Sequence, residues 1–119
     1  MTADGFRRLA LSLPGSSEKS HMEHPDFRVS GKVFATLGYP DIKWGMIKLT
    51  PRQQEVIVAK HPKVFKAVSG GWGLRGATNV LLRYATTKNL LPALTQAWKN
   101  LAARRAIKPW AAGGSSVER

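Results

Sequence analysis

The sequence predicts an α+β protein in which an antiparallel β-sheet has helices packed on one face. Short β-type segments follow one another between residues 26 and 49 with only tight turns between them, which is typical of an antiparallel meander. Segments with helical apolar spacing stand before and after this region. The chain of 119 residues has room for one hydrophobic core, so we expect a single domain over residues 1–107.

The first helix is predicted to begin at Thr2 or Asp4 and to end at Ser12. One apolar face runs along it at i, i+3, i+4 and i+7 spacing, formed by Phe6, Leu9, Ala10 and Leu13. Pro14 and Gly15 end the helix, because proline cannot continue it and glycine frees the backbone.

A β-hairpin follows the first helix. Residues 26–29 and 32–37 are predicted strands, and the Ser-Gly pair between them suits a tight hairpin turn. A second turn at residues 38–41 leads to a third strand, residues 44–49. Apolar and polar residues alternate in that strand, as expected for a sheet with one face toward solvent.

The clearest start of a helix lies at Thr50. Threonine is a good cap, Pro51 occupies the first helical position, and Gln53 completes a capping box. This helix is predicted to run to about Lys60, before a His-Pro pair. Residues 64–68 then form a short strand or a turn.

The C-terminal part is predicted as a loop, a strand and a long helix. The glycine-rich residues 70–76 form the loop and residues 78–83 the strand. The last helix is predicted to begin near Asn89, with Pro92 tolerated in its first turn. Its buried stripe is formed by Leu90, Leu94, Ala97, Trp98 and Leu101. Residues 108–119 are rich in small and polar residues, and we expect a disordered basic tail.

The charge of the chain is strongly unbalanced. Lys and Arg number 19 and Asp and Glu number 7, which gives a formal net charge of +12. No acidic residue lies between Glu55 and Glu118. Such a surplus destabilises a small protein by self-repulsion, so attraction to a polyanion is the simplest reason for it. A merely solvated basic surface is the alternative.

The absence of cysteine excludes disulfides, thiolate-bound metals and cysteine nucleophiles. The first residues do not have the pattern of a signal peptide, and no segment approaches the ~20 apolar residues that cross a bilayer. We therefore expect a soluble, cytoplasmic protein that does not act at membranes. We also expect a monomer or a weak dimer.

Several pieces of the sequence resemble the MmcQ/YjbR family. They are the hairpin His24-Pro25-Asp26-Phe27-Arg28-Val29 with Gly31-Lys32-Val33-Phe34-Ala35, the helix start Thr50-Pro51, the pair Trp72-Gly73, and the strand residues Thr78, Val80 and Leu82. The pieces occur in the family's order, and the match runs from the first helix to about Arg105. The resemblance implies a frataxin-like (CyaY-like) α+β fold, a bacterial origin and a cytoplasmic setting. It also implies a DNA-binding surface of paired hairpins, although a shared fold does not by itself establish a shared function.

Motifs for cofactors, metals and catalysis are weak. Gly71, Gly73 and Gly76 have the spacing of a dinucleotide fingerprint, but they precede a strand and no acid follows at the right distance. We therefore expect no cofactor. His21 and His24 point to opposite faces of an extended segment, so we expect no metal site. No nucleophile elbow or carboxylate pair is evident, and we predict no catalytic residues and no enzyme activity.

The predicted function is DNA binding through phosphate contacts by a basic face of hairpins and loops. We expect little readout of base sequence, because no recognition helix is identifiable. The residues expected to contact nucleic acid are Arg28, Lys32, Lys43, Lys63, Lys66, Trp72, Arg75, Arg83, Arg104, Arg105 and Lys108. Trp72 and Arg75 either protrude from the glycine-rich loop or belong to a packing turn. The alternative function is a protein-interaction or chaperone-like module that binds an acidic partner through a mixed apolar groove.

Overall fold

The computed structural model of the protein describes residues 1–21 and 24–102. Its helices and strands, in chain order, are α1 Ala3–Leu11, β1 Ser17–His21, β2 His24–Val29, β3 Lys32–Leu37, β4 Trp44–Lys48, α2 Pro51–Lys60, β5 Phe65–Ala67, α3 Gly71–Leu74, β6 Ala77–Leu81 and α4 Thr87–Ala102. A short 3-10 turn, Leu82–Tyr84, follows β6. The predicted α+β class is confirmed.

The strands form one six-stranded antiparallel sheet in the order β1-β2-β3-β4-β6-β5. β2 and β3 are the predicted hairpin, and Ser30 and Gly31 at its turn have φ angles of 54° and 78°. Positive φ at both central residues gives the turn a twist that matches the twist of the strands. A bulge in the register after Phe27 accompanies the burial of two successive residues of β3, Phe34 and Ala35.

One face of the sheet is covered by α1 and α4. The largest fully buried apolar side chains are Phe6, Phe27, Phe34, Phe65, Ile47, Leu90, Leu94 and Val80. Each contributes about 1.5–3 kcal/mol by its removal from water. Phe6 of α1 lies against Gly45 of β4, where an added Cβ would stand 2.8 Å from the ring. Glycine at position 45 therefore lets α1 approach the sheet.

The start of α2 is fixed by the predicted capping box. The Thr50 hydroxyl accepts a hydrogen bond from the backbone N–H of Gln53, and the Gln53 side chain accepts one from the backbone N–H of Thr50. The amides of Gln53 and Asn100 in α4 also exchange hydrogen bonds of 3.1 and 2.8 Å. Ile57 and Val58 pack against the core. The same glutamine therefore caps α2 and attaches it to α4.

β1 is a strand that the sequence did not predict. Its residues, Ser-Glu-Lys-Ser-His, lack the apolar alternation by which strands are recognised. The strand forms because its backbone pairs with β2, from Ser17 opposite Arg28 to His21 opposite His24. Backbone pairing thus extends the sheet beyond the predicted hairpin.

Three predictions for the C-terminal part were wrong in detail. The strand predicted over residues 78–83 runs from Ala77 to Leu81, and residues 82–84 form the 3-10 turn. Part of the predicted loop at residues 70–76 is the short helix α3. The last helix begins at Thr87 instead of near Asn89, because Thr86 and Asn89 exchange hydrogen bonds in which Thr86 is the cap. The apolar stripe of α4 is confirmed, with Trp98 half-buried and donating from its indole N–H to the carbonyl of Pro14.

The remaining predictions for the C-terminus fall on residues 108–119, which lie outside the described residues. Over residues 1–21 and 24–102, none of the helices combines the length and the apolar character needed to cross a bilayer.

Gly73 in α3 is closely enclosed, since a Cβ placed on it would overlap the carbonyl oxygen of Val68. We expect Gly73→Ala to lower the free energy of unfolding by about 2–4 kcal/mol, because the backbone must move to admit the methyl group. Gly71 has open space around its Cβ position, so Gly71→Ala is the matched control and should cause no loss. Urea unfolding followed by circular dichroism measures both changes. Equal losses for the two variants would contradict this account of the packing.

Candidate functional site

The face of the sheet opposite α1 and α4 carries an open groove of about 690 Å³. Its floor is formed by side chains of β2, β3, β4 and β6, namely Asp26, Val33, Thr36, Met46, Lys48 and Asn79. Trp72 and Tyr39 also line the groove, from the segments that follow β5 and β3. The groove face is therefore mixed in character, with apolar, amide, hydroxyl and charged groups side by side.

A row of directly opposed residues crosses this face from one edge of the sheet to the other. In strand order, the row consists of Lys19, Asp26, Thr36, Met46, Asn79 and Lys66. Directly opposed residues of antiparallel strands share a face, so both terminal lysines belong to the groove face. Strands about 4.8 Å apart place the Cα atoms of these lysines about 24 Å from each other. We call this set the cross-strand row.

Trp72 forms one end of the groove, and 60% of its surface is exposed. The Lys48 ammonium lies 5.5 Å from the centre of the indole ring, and the Arg75 guanidinium lies 6.0 Å from it. Both distances are within the ~6 Å over which a cation is attracted to an aromatic face. An exposed aromatic ring and two cations are therefore held together at this end.

The position of Trp72 is set by the backbone of α3. Gln54 of α2 donates from its side-chain amide to the carbonyl oxygens of Gly73 and Ala77, at 3.0 and 2.8 Å. Gly73 lies directly against the backbone of Val68. These contacts hold the segment on both sides of the indole. Trp72 therefore projects from a short, anchored helix, which combines the two alternatives that the sequence left open.

Tyr39 forms the other end of the groove, in the turn between β3 and β4, and is 65% exposed. Its ring meets the His24 ring edge-on, with the ring centres 6.2 Å apart. The turn contains a cis peptide bond between Tyr39 and Pro40. Within the part of the chain that the structure describes, no group of three or more His, Cys, Asp or Glu residues is arranged to hold a metal ion.

Asp26 is the acidic residue on the groove floor. It is 7% exposed and accepts hydrogen bonds of 2.9 and 3.2 Å from Nε and Nη2 of Arg28. These hydrogen bonds are the main reason that the pKa of Arg28 is raised above its ordinary value. The two side chains form a bidentate pair whose charges cancel.

Two other acids, Asp4 and Glu18, lie on the helix-covered side of the sheet, whereas Asp41 lies in the turn that carries Tyr39. Asp4 pairs with Arg7 and Arg8 of its own helix, and Glu18 pairs with Arg7. Hydrogen bonds to Glu18 and then to Asp4 raise the pKa of Arg7. Among the described residues, neither Lys48 nor Lys66 has an acidic group within ion-pair distance. Positive charge on the groove face is therefore less neutralised than positive charge around α1.

The residues predicted to contact nucleic acid are distributed over several parts of the structure. On the groove face or at its Trp72 end lie Arg28, Lys66, Trp72 and Arg75. Lys32 lies at the tip of the β2–β3 hairpin. At the opposite end of the sheet, where β4 begins and β6 ends, lie Lys43, Lys63 and Arg83. Outside the described residues lie Arg104, Arg105 and Lys108.

Sequence reasoning missed Lys19, Lys48, Asn79 and Tyr39 as members of the groove. The alternation in β4 already indicated that Lys48 faces away from Ile47, but its contact with Trp72 depends on the placement of α3. Lys19 belongs to β1, which has no apolar signal. The register between strands, which single-sequence patterns do not contain, assigns these residues to one face.

The chain matches the family model described as YjbR over residues 11–100. No curated protein matches it. Among solved structures, the crystal structure of the Deinococcus radiodurans protein DR2400, which has a DUF419 domain, is similar to it with a TM-score of 0.67 and 19% sequence identity. The similarity covers 89% of this chain and 81% of that chain. It supports the α+β fold described above.

The two hydrogen bonds of Gln54 should hold α3 and Trp72 in place. We expect Gln54→Leu to lower the free energy of unfolding by about 1–2 kcal/mol and to speed amide hydrogen exchange in residues 70–77, because the carbonyls of Gly73 and Ala77 each lose one of their two donors. Gln96→Leu changes an exposed glutamine of α4 and is the matched control, with an expected effect within about 0.5 kcal/mol. Unchanged exchange in residues 70–77 of the Gln54 variant would show that α3 is held by other contacts.

Proposed function

This chain belongs to the YjbR family, and we propose that it binds DNA by placing phosphate groups on the basic groove face of its sheet. Family membership establishes the fold, whereas the arrangement of charge supports the choice of ligand. We place this activity in the bacterial cytoplasm, in keeping with the family resemblance and the cysteine-free sequence.

The observation that carries the proposal is that cations outnumber acids on the groove face. Lys19 and Lys66 terminate the cross-strand row, and Lys48 and Arg75 surround Trp72. The acid that lines the groove floor, Asp26, is neutralised by Arg28. The face therefore carries positive charge that is available to an external anion.

Phosphate contacts would supply most of the affinity. Each lysine or arginine that meets a phosphate releases condensed counterions, so binding should weaken steeply as salt is added. The terminal lysines of the row, about 24 Å apart, reach phosphates well separated along a DNA strand. Such contacts fix the position of DNA without identifying bases, so we propose weak sequence preference.

The other predicted basic residues extend the same surface in our proposal. Lys32 at the hairpin tip and the group Lys43, Lys63 and Arg83 at the far end would contact flanking phosphates. We keep Arg104, Arg105 and Lys108 as a trailing basic arm. We expect these residues to contribute less to DNA affinity than the cations on the groove face. Only the latter lie beside both a concave site and an exposed aromatic ring.

An acidic peptide is the second candidate ligand. The groove floor includes Val33 and Met46, and the turn at its far end exposes Tyr39 and, to 86%, Ile42. A mixed surface of this kind suits a peptide with both apolar and acidic side chains. DNA is favoured because cations lie at both edges of the sheet and beside Trp72, where they are placed to meet phosphates.

We also propose that the protein acts by binding and not by catalysis. A general acid or base needs a carboxyl or imidazole group whose proton is free to move. Asp26, the carboxylate on the groove floor, is instead held by two hydrogen bonds from Arg28.

A double variant, Lys66→Gln with Arg75→Gln, tests the groove face. We expect it to weaken DNA binding about tenfold at ~50 mM salt and to reduce the slope of log affinity against log salt by about 2, because two phosphate contacts are lost. Fluorescence anisotropy with end-labelled DNA, titrated over a range of salt, measures both quantities.

The matched control is Lys88→Gln with Lys99→Gln, which removes the same charge from exposed positions of α4. This control should bind DNA within about twofold of the unchanged protein. Equal weakening by both double variants would mean that only net charge matters. Absence of binding at ~50 mM salt, or tighter binding of polyglutamate than of DNA, would reject the proposal itself.

Asp26→Asn should change binding in the opposite direction. It removes the negative charge on the groove floor and releases Arg28 for a phosphate, so we expect DNA affinity to rise about threefold or more at low salt. The same substitution should lower the free energy of unfolding by about 1–2 kcal/mol, because Arg28 loses the nearly buried carboxylate with which it pairs. Anisotropy and urea unfolding separate the two effects. Weaker DNA binding by a fully folded Asp26→Asn protein would contradict the assigned charge of this face.

A further inference from the structure

We infer that the groove selects unpaired nucleotides, and that Trp72 is the platform on which one exposed base stacks. This inference rests on the proposed function and narrows it from DNA in general to single-stranded DNA. It is carried by the chemistry of the groove, where an exposed indole and two cations lie beside a mixed floor that includes an amide and a hydroxyl group.

The exposure of Trp72 is the first step. Tryptophan is usually well buried, yet 60% of this side chain faces solvent. The backbone around Trp72 keeps the side chain exposed, since Gly73 packs on Val68 and Gln54 donates to the carbonyls of Gly73 and Ala77. A flat aromatic surface fixed at the end of a groove suits a flat ligand. Nucleic-acid bases stack on such rings with little regard to sequence.

The cations beside the indole are the second step. Lys48 and Arg75 lie 5.5 and 6.0 Å from the ring centre, so they border the space in which a base would stack. Both side chains are long and flexible, so either can leave the ring face when a base arrives. Each can then pair with the phosphate of the same nucleotide. Base and phosphate would thus be bound by adjacent groups.

The floor of the groove is the third step. Asn79 lies next to Met46 in the cross-strand row and is half-buried. Among the described residues, none forms a hydrogen bond with its side-chain amide. An amide carries a donor and an acceptor, which match the edge of an unpaired base. Thr36 adds a hydroxyl to the same row.

Aromatic rings lie at both ends of the groove. Tyr39, 65% exposed, is a second aromatic ring at the far end of the groove. β4 spans the distance between the ends, and three to four residues of strand correspond to about 10–13 Å. Sheets that bind single-stranded RNA stack two or three bases over a comparable surface. In a duplex the faces of the bases are covered by their neighbours, so neither ring would be reached.

The experiment compares matched probes in fluorescence anisotropy at about 100 mM salt. The probes are a single DNA strand of about 12 nucleotides, the corresponding duplex, and an abasic strand with the same number of phosphates. We expect the unchanged protein to bind the single strand at least about tenfold more tightly than the duplex. Trp72→Ala should weaken binding of the single strand about 10- to 100-fold, and Trp72→Phe much less.

The abasic strand separates the contribution of base stacking to the affinity from the contribution of phosphate charge. Trp72→Ala should leave its binding within about twofold, because the phosphates remain and the bases are gone. An equal loss on the abasic strand would assign Trp72 a role in placing Lys48 and Arg75, and would overturn the stacking inference. Urea unfolding of the variant confirms that it is folded, as expected for a side chain that is mostly exposed.

The outcomes also separate this inference from the proposed function. Tight binding of single strand and duplex alike, with no effect of Trp72→Ala, would overturn the inference and leave DNA binding intact. Failure to bind any of the probes would overturn both. A single RNA strand of the same sequence is a final arm, and a tenfold preference for RNA would overturn the assignment to DNA.

Discussion

The structure depends on covering only one face of its antiparallel sheet. α1 and α4 bury the side chains of that face, and the close contact of Phe6 with Gly45 fixes how near α1 lies. Because side chains alternate along each strand, the same packing sends every second residue to the groove face. A shift of one residue in any strand would exchange its two sets of side chains. Burial of the core therefore also determines the composition of the groove.

One end of the groove is formed by a separate element, the short helix α3 with Trp72. α3 is only four residues long, so it cannot be stable by itself and is held by neighbouring groups. Gln53, the glutamine of the α2 capping box, connects that helix to α4, and the next residue, Gln54, binds the segment that carries Trp72. The helix-covered side and the groove are thus joined through two successive glutamines. Loss of packing on the helix-covered side should therefore change the position of the Trp72 indole in the groove.

Much of the fold was predictable because its signals are local. The hairpin with Ser30-Gly31 and the capping box at Thr50 are encoded by neighbouring residues, and both are present. β1 was not predictable, since its polar residues pair through backbone groups with β2. For the groove, Trp72 and Arg75 were identified together, but Lys48 and Asn79 were not. Their meeting depends on register between distant strands, whereas the surplus of charge along the sequence contains no information about faces.

The lysines at the two ends of the cross-strand row have a further consequence. They lie on β1 and β5, the outer strands, whose free backbone N–H and C=O groups are able to pair with another chain. A positive charge on each outer strand repels the same strand of a second molecule and so keeps the sheet from growing by self-association. A polyanion bound as we propose would neutralise this repulsion. Crowding of many copies on one anionic polymer is therefore the condition in which intermolecular strand pairing becomes easiest.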